Sequence, residues 1–447
     1  MALLVLCVGA AVATAVMWAT QRDTGSPSQA AAVADDPLGG ALIRRVAPTE
    51  APTSAAAPTS AAAPMPVSDV VATAAPSVAA PTSVADMAGT APPTMEVPTT
   101  TAVPTTTLVP ADGRTAAERT LELVTVIGGD IAPKSIVHSG HGRFIAQNMM
   151  YRHTVTVYDR TLAHVATIPD SVDLSQHGFA DSPGSWQGSP VEAAFTGDGR
   201  YAYVSNYQMF GPGYDNAGGD GCDAGGWDDS FVYRLDLDAA RIDQVIPVGA
   251  VPKYVSVTPD DRLVLVTNWC SFDMSVIDTA TAAEVARIPL GRHPRGIAVT
   301  SDSATAYVAV MGSQDVAVVD LAGMTVSWIS GVGVSPRHLV LDSEDRYLYA
   351  SLNGEGTVAK VDLATAAVVA KVATGAAPRS MAISDDGSAL YVVNYTANTV
   401  SKVRTADMAE VQEVAGAGKP IGITYDAAAR QVWVANYGGS IQVFADR

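Results

Sequence analysis

Pro378-Arg379-Ser380-Met381-Ala382-Ile383-Ser384-Asp385-Asp386-Gly387-Ser388-Ala389-Leu390-Tyr391-Val392-Val393-Asn394 is the stretch on which the fold is decided. Arg379 to Ile383 alternates, Asp385-Asp386-Gly387 makes a turn, and Leu390 to Asn394 supplies a second β-rich segment. The unit recurs along the chain. Aligned on Pro252, Pro294, Pro336, Pro378 and Pro420, its spacing is 42 residues every time. Pro133 and Pro190 extend the series with gaps of 57 and 62. A third segment ends in Asp twenty-six residues after the proline in five units: Asp159, Asp278, Asp320, Asp362 and Asp446. In the second unit the matching Asp236 is displaced by an insertion. A fourth segment, such as Glu284 to Leu290, leads into the next anchor. Four strands per unit and seven anchors predict an all-β fold, a seven-bladed propeller of four-stranded blades.

The ring also closes arithmetically. Seven units of 42 with insertions of 15 and 20 account for Arg119 to Arg447. The last unit lacks a fourth strand, and Leu121-Glu122-Leu123-Val124-Thr125-Val126-Ile127 stands before Pro133 as the fourth strands stand before later anchors. This N-terminal strand is predicted to complete the last blade, removing two exposed sheet edges.

Outward from the repeat, the composition changes. Fourteen of the 27 prolines precede residue 116, and no aromatic residue lies between Trp18 and Phe144. Residues 1–22 contain an apolar run from Ala2 to Thr20, long enough for a membrane span and compatible with a secretory signal. No Lys or Arg precedes that run, which leaves cleaved signal, retained anchor and the position of the start codon open. Residues 23–115 are Ala, Pro, Thr and Ser, too poor in large apolar surface to offset their ordering entropy. They read as a disordered stalk or plain linker. Residues 116–447 are the propeller. The expected localisation is therefore extracytoplasmic, secreted or anchored at the cell envelope, with membrane contact only through the N-terminal segment. A net charge of −18 argues against nucleic acid as a partner.

The second-strand tetrads Tyr203-Val204-Ser205-Asn206, Leu265-Val266-Thr267-Asn268, Tyr391-Val392-Val393-Asn394 and Trp433-Val434-Ala435-Asn436 resemble the YVTN β-propeller repeat. That repeat occurs in YncE-like and surface-layer-type proteins of microbial envelopes. Asn148 occupies the equivalent place in the first unit, one residue early. The resemblance covers 119–447 and implies an extracytoplasmic binding role without assigned catalysis.

The residue after each anchor begins strand one, near the central channel, and reads Lys134, Val191, Lys253, Arg295, Arg337, Arg379 and Ile421 around the ring. Five are cations, Lys419 adds a sixth, and Glu192 a single acid. Cations converging on one mouth attract anions, and Arg suits bidentate carboxylate or phosphate capture; the alternative is a structural device pairing neighbouring blades. Both insertions fall on this face and carry Trp186 and Trp227. Tyr207, Trp269, Tyr395 and Tyr437 follow second strands there and offer flat faces to sugars or flexible chains. Cys222 and Cys270, in equivalent loops of adjacent blades, are expected to form a disulfide. Asp215, Asp220 and Asp223 are oxygen ligands for a calcium site in principle, although their spacing matches no EF-hand loop. Zinc spacings, a nucleophile elbow and a phosphate loop are missing, and no cofactor is expected.

One enzymatic alternative has residues behind it. Pro336-Arg337-His338-Leu339 followed by Tyr347-Leu348-Tyr349 resembles seven-bladed lactonases of the phosphogluconolactonase type. There an acid directly follows the Asn ending strand two; here Asn353 is followed by Gly354, then Glu355. That resemblance implies Arg337, His338 and Glu355 as its catalytic set. The leading expectation is a non-catalytic propeller binding an anionic or sugar-bearing envelope ligand, or a protein, at the insertion-bearing face. A lactonase-type hydrolase and a passive surface-layer component are the alternatives.

Overall fold

A computed structural model describes residues 113–447 apart from Ala224. The expected export segment and most of the stalk lie outside the described residues. Seven four-stranded antiparallel sheets follow one another, each ordered from the innermost strand outward. The sixth blade is typical: Pro378–Ile383, Ala389–Asn394, Thr399–Arg404 and Ala409–Ala415. Each innermost strand lies against that of the next blade, and the seventh lies against the first. The last blade takes Leu121–Ile127 as its outer strand, paired antiparallel to Ser440–Asp446. Among the described residues no helix is long and apolar enough to cross a membrane.

Burial explains the patterning. Strands two and three are buried on both sides between neighbouring blades, so Ala389–Asn394 is buried at every position. Outer strands alternate instead, as in Ala367–Ala373, with Val369 about half exposed. The third-strand Asp residues act as turn caps: Asp278 accepts from the Thr281 N–H at 2.8 Å and Asp362 from the Thr365 N–H at 2.9 Å. On the same principle, Thr258 and Thr300 hydroxyls donate to Asp260 and Asp302 at 2.6 Å in the turns after strand one.

The strand-two Asn residues are likewise structural. Asn268 donates to Asp273 and Ser275, and Asn394 to Thr399 and Ser401, all on strand three of the same blade. Asn148 keeps that role with Thr154 and Thr156 although it comes one residue early. Later blades absorb the extra residue as a bulge between the anchor proline and the second residue after it. Blade two departs, since Tyr233 stands opposite Val204 where blades one, three and six have Thr or Ser. Asp170 of the first insertion comes in beside Asn206 instead; a Cβ on Gly188 would lie 2.5 Å and 2.3 Å from their oxygens. Burial pushes the Asp170 carboxyl up to about 8, so it stays a neutral acid.

Candidate functional site

The entry to strand one is a strained, repeated device. Val251, His293, Ser335, Ala377 and Lys419 immediately precede anchor prolines, and all have positive φ, at 55°, 60°, 54°, 56° and 54°. Left-handed backbone at a non-glycine residue costs on the order of 1 kcal/mol or more. What holds it is a hydrogen bond to the residue's carbonyl from the N–H just past strand two: Trp269 to Val251, Tyr395 to Ala377, Tyr437 to Lys419, each at 2.9–3.0 Å. The bend turns the residue after the proline into the channel mouth.

The mouth is a collar of cations from five blades. Lys253, Arg295, Arg337 and Arg379 are all buried, and Lys134 is half-buried. Lys134 is pushed well below its ordinary value, first by burial and then by the charges of Lys253, Arg379 and Arg295. The predicted aromatics line the same collar. The Lys253 ammonium lies 4.4 Å from the Tyr207 ring and 4.9 Å from Trp269; Arg379 stacks 3.6 Å over Tyr395; Lys134 lies 4.8 Å from Tyr437. These rings hold cations in place, and Tyr207 and Trp269 are buried in doing so.

The family described as YNCE-like beta-propeller matches residues 283–442, the run of blades in which the repeat is most regular. Over those residues this seven-bladed propeller is similar to that family. Two solved structures share its fold. Hydrazine synthase of Kuenenia stuttgartiensis aligns with a TM-score of 0.56 at 18% identity, covering 72% of this chain and 97% of that one. The WD40 β-propeller domain of Doa1 also gives 0.56, at 11% identity, covering 74% of this chain and 98% of that one. At such identities the likeness concerns architecture alone. No curated protein matches the chain.

In this propeller the second insertion reaches into the collar. A disulfide joins Cys222 to Cys270, as expected. Two residues before Cys222, the Asp220 carboxylate pairs with Lys253 and accepts from the Tyr207 hydroxyl at 3.3 Å, while its carbonyl accepts from Trp269 Nε1 at 3.1 Å. Lys253, Lys134 and Arg295 together hold the Asp220 carboxyl far below the usual carboxylate range. Even with this partner, burial and the neighbouring Arg charges bring Lys253 down to about 8. A carboxylate thus already sits among the cations, supplied by the chain itself.

The three aspartates weighed for calcium do not converge on one site. Asp220 faces Lys253, Asp223 pairs with Arg292 at 2.9 Å, and Asp215 is exposed. Among the described residues no group of three or more His, Cys, Asp or Glu could hold a metal ion. Trp186 is buried with Leu174, Met209 and Phe231 in a small core that braces the two insertions. Trp227 is half-buried and donates to the Asp223 carbonyl at 2.5 Å.

Below the collar, the next residue of each innermost strand forms a second ring: Ser135, Glu192, Tyr254, Gly296, His338, Ser380 and Gly422. The glycines let adjacent strands approach, since a Cβ on Gly422 would lie 2.7 Å from the Ser135 Cα. Burial, opposed by the Ser135 hydroxyl and by Arg295 and Lys134, leaves Glu192 at about 7. His338 is pushed down to about 3 by burial and by Arg295 and Arg337. Glu355, its partner in the lactonase reading, lies outside this ring: its carboxylate engages Lys371 at 2.9 Å and the Val334 N–H at 2.6 Å. No hydrogen bond or ion pair joins it to His338 among the described residues.

Proposed function

We propose that the insertion-bearing end of the channel is a binding site for small anions, and that the protein is a binding module. The observation behind this is the convergence of Lys134, Lys253, Arg295, Arg337 and Arg379 on one mouth, with the Asp220 carboxylate seated among them as an internal stand-in for a ligand. Strain repeated at the entry of five blades supports it, because backbone strain of this kind is retained where a structure must aim particular groups. Binding is favoured over lactone hydrolysis since the acid the latter needs is engaged by Lys371 and Val334. The apolar start, the Ala/Pro/Thr/Ser segment and a disulfide support export and tethering at the envelope.

Citrate is a suitable first probe, titrated calorimetrically into the full chain at several salt concentrations. The expected result is binding that weakens with salt, and a loss of at least about tenfold with a flatter salt dependence in Arg295→Gln/Arg337→Gln/Arg379→Gln. Affinity unchanged in the triple variant would overturn the reading.

A further inference from the structure

Resting on that reading, the second ring says what else the ligand must carry. A cavity of about 190 Å³ lies beneath the collar, lined among others by Ser135, Glu192, Tyr254, His338 and Ser380. Its hydrogen-bond polarity is set by the backbone. The Met381 N–H donates to His338 Nδ1 at 3.3 Å, so the neutral imidazole carries its proton on Nε2. That nitrogen lies 3.0 Å from the Tyr254 hydroxyl oxygen and donates to it. With its oxygen accepting from His338, Tyr254 has its own O–H left to donate into the cavity. Glu192, buried on the wall three blades from His338 and within electrostatic reach of Tyr254, supplies an acceptor. An oriented donor and a carboxyl acceptor lining one small cavity match a group that both accepts and donates. A hydroxyl is such a group; an alkyl chain is not, and it would strip water from Glu192 and Tyr254 without replacing those bonds.

We propose that the cavity beneath the collar is a hydroxyl-recognition subsite, and that the ligand is a small polyhydroxylated carboxylate whose anionic end rests on the cation collar while a hydroxyl is held between Tyr254 and Glu192. The acid of a sugar chain meets this description.

Gluconate and hexanoate test it, being six-carbon monocarboxylates of equal charge that differ in hydroxylation. In titrations of the full chain, gluconate is expected to bind at least about tenfold more tightly than hexanoate. Tyr254→Phe and Glu192→Gln should each bring that ratio to within about threefold, with hexanoate affinity retained as the sign that the variants are folded. Equal affinity for the two acids overturns the subsite while leaving anion binding intact. So does a gluconate preference that survives both substitutions. Binding of neither acid, together with none of citrate, overturns the anion-binding reading itself.

Discussion

Among the described residues, the closure seam and the channel mouth bury charged side chains in opposite ways. At the closure seam Lys402 and Asp446 are fully buried and 2.5 Å apart, the Tyr391 hydroxyl donates to the second Asp446 oxygen at 2.8 Å, and Lys402 also donates to the Arg119 carbonyl at 2.9 Å. Charge there is matched and its hydrogen bonds are largely made between blade six, blade seven and the segment leading into the closing strand. At the channel mouth, cations of one sign crowd together, and Lys134 and Lys253 are pushed down by burial and then by their cationic neighbours. Matched burial at the seam serves the ring; the crowding of like charges at the mouth opposes folding. Cys222–Cys270 ties down the loop that brings the Asp220 carboxylate to the mouth, so the insertion partly offsets this cost.

The contrast can be broken most forcefully at the seam. Asp446→Ala leaves the Lys402 ammonium buried without its carboxylate, and stability in urea should fall by about 3–5 kcal/mol. A loss below about 1 kcal/mol would remove the seam from the comparison. Next in size is a pH effect from the second ring. The folded protein holds the Glu192 proton more tightly than the unfolded chain, at about 7 against an ordinary 4.5. Its favourable contribution is therefore complete below about pH 4.5 and is lost as pH rises to about 7, by on the order of 3 kcal/mol at most. Denaturation of Glu192→Gln across that window should give a flatter profile than the unaltered chain, and parallel profiles would refute the assignment. The smallest effect sharpens the mouth. Arg379→Gln gives up a guanidinium stacked on Tyr395 but relieves Lys134, so the net stability change should stay within about 1 kcal/mol. The Lys134 ammonium should then titrate at higher pH, as read by NMR of isotopically methylated lysines; an unmoved titration would mean the collar charges do not act on one another.

Much of this was legible in the chain. The 42-residue spacing and the unpaired Leu121–Ile127 foretold the blades and their closure, because each copy carries its own alternation and turn residues. The collar cations were legible for the same reason, one place after each anchor. Less legible was the left-handed residue before the anchors, since Val251, His293, Ser335, Ala377 and Lys419 share no side-chain signal for positive φ. The second ring was hidden as well. Ser135, Glu192, Tyr254, His338 and Ser380 have no common chemistry in a repeat alignment, and only Glu192 and His338 stood out among them, each for another reason. The aromatics after strand two were read as contact surfaces, yet Tyr207 and Trp269 pack on Lys253, a lysine that the repeat places on an adjacent strand end without showing its neighbours.

By itself, then, the sequence determined the number of blades, the strand order within each, the closing strand and the ring position of every channel residue. These follow from local periodicity repeated in register. Only the tertiary structure decided which charges are matched: Lys402 meets Asp446 and Lys253 meets Asp220, whereas Lys134 lies in the fields of Lys253, Arg379 and Arg295, opposed by Asp220. Coulomb and desolvation energies depend on distances between residues far apart in the chain, and a repeat fixes those distances only once the ring has closed.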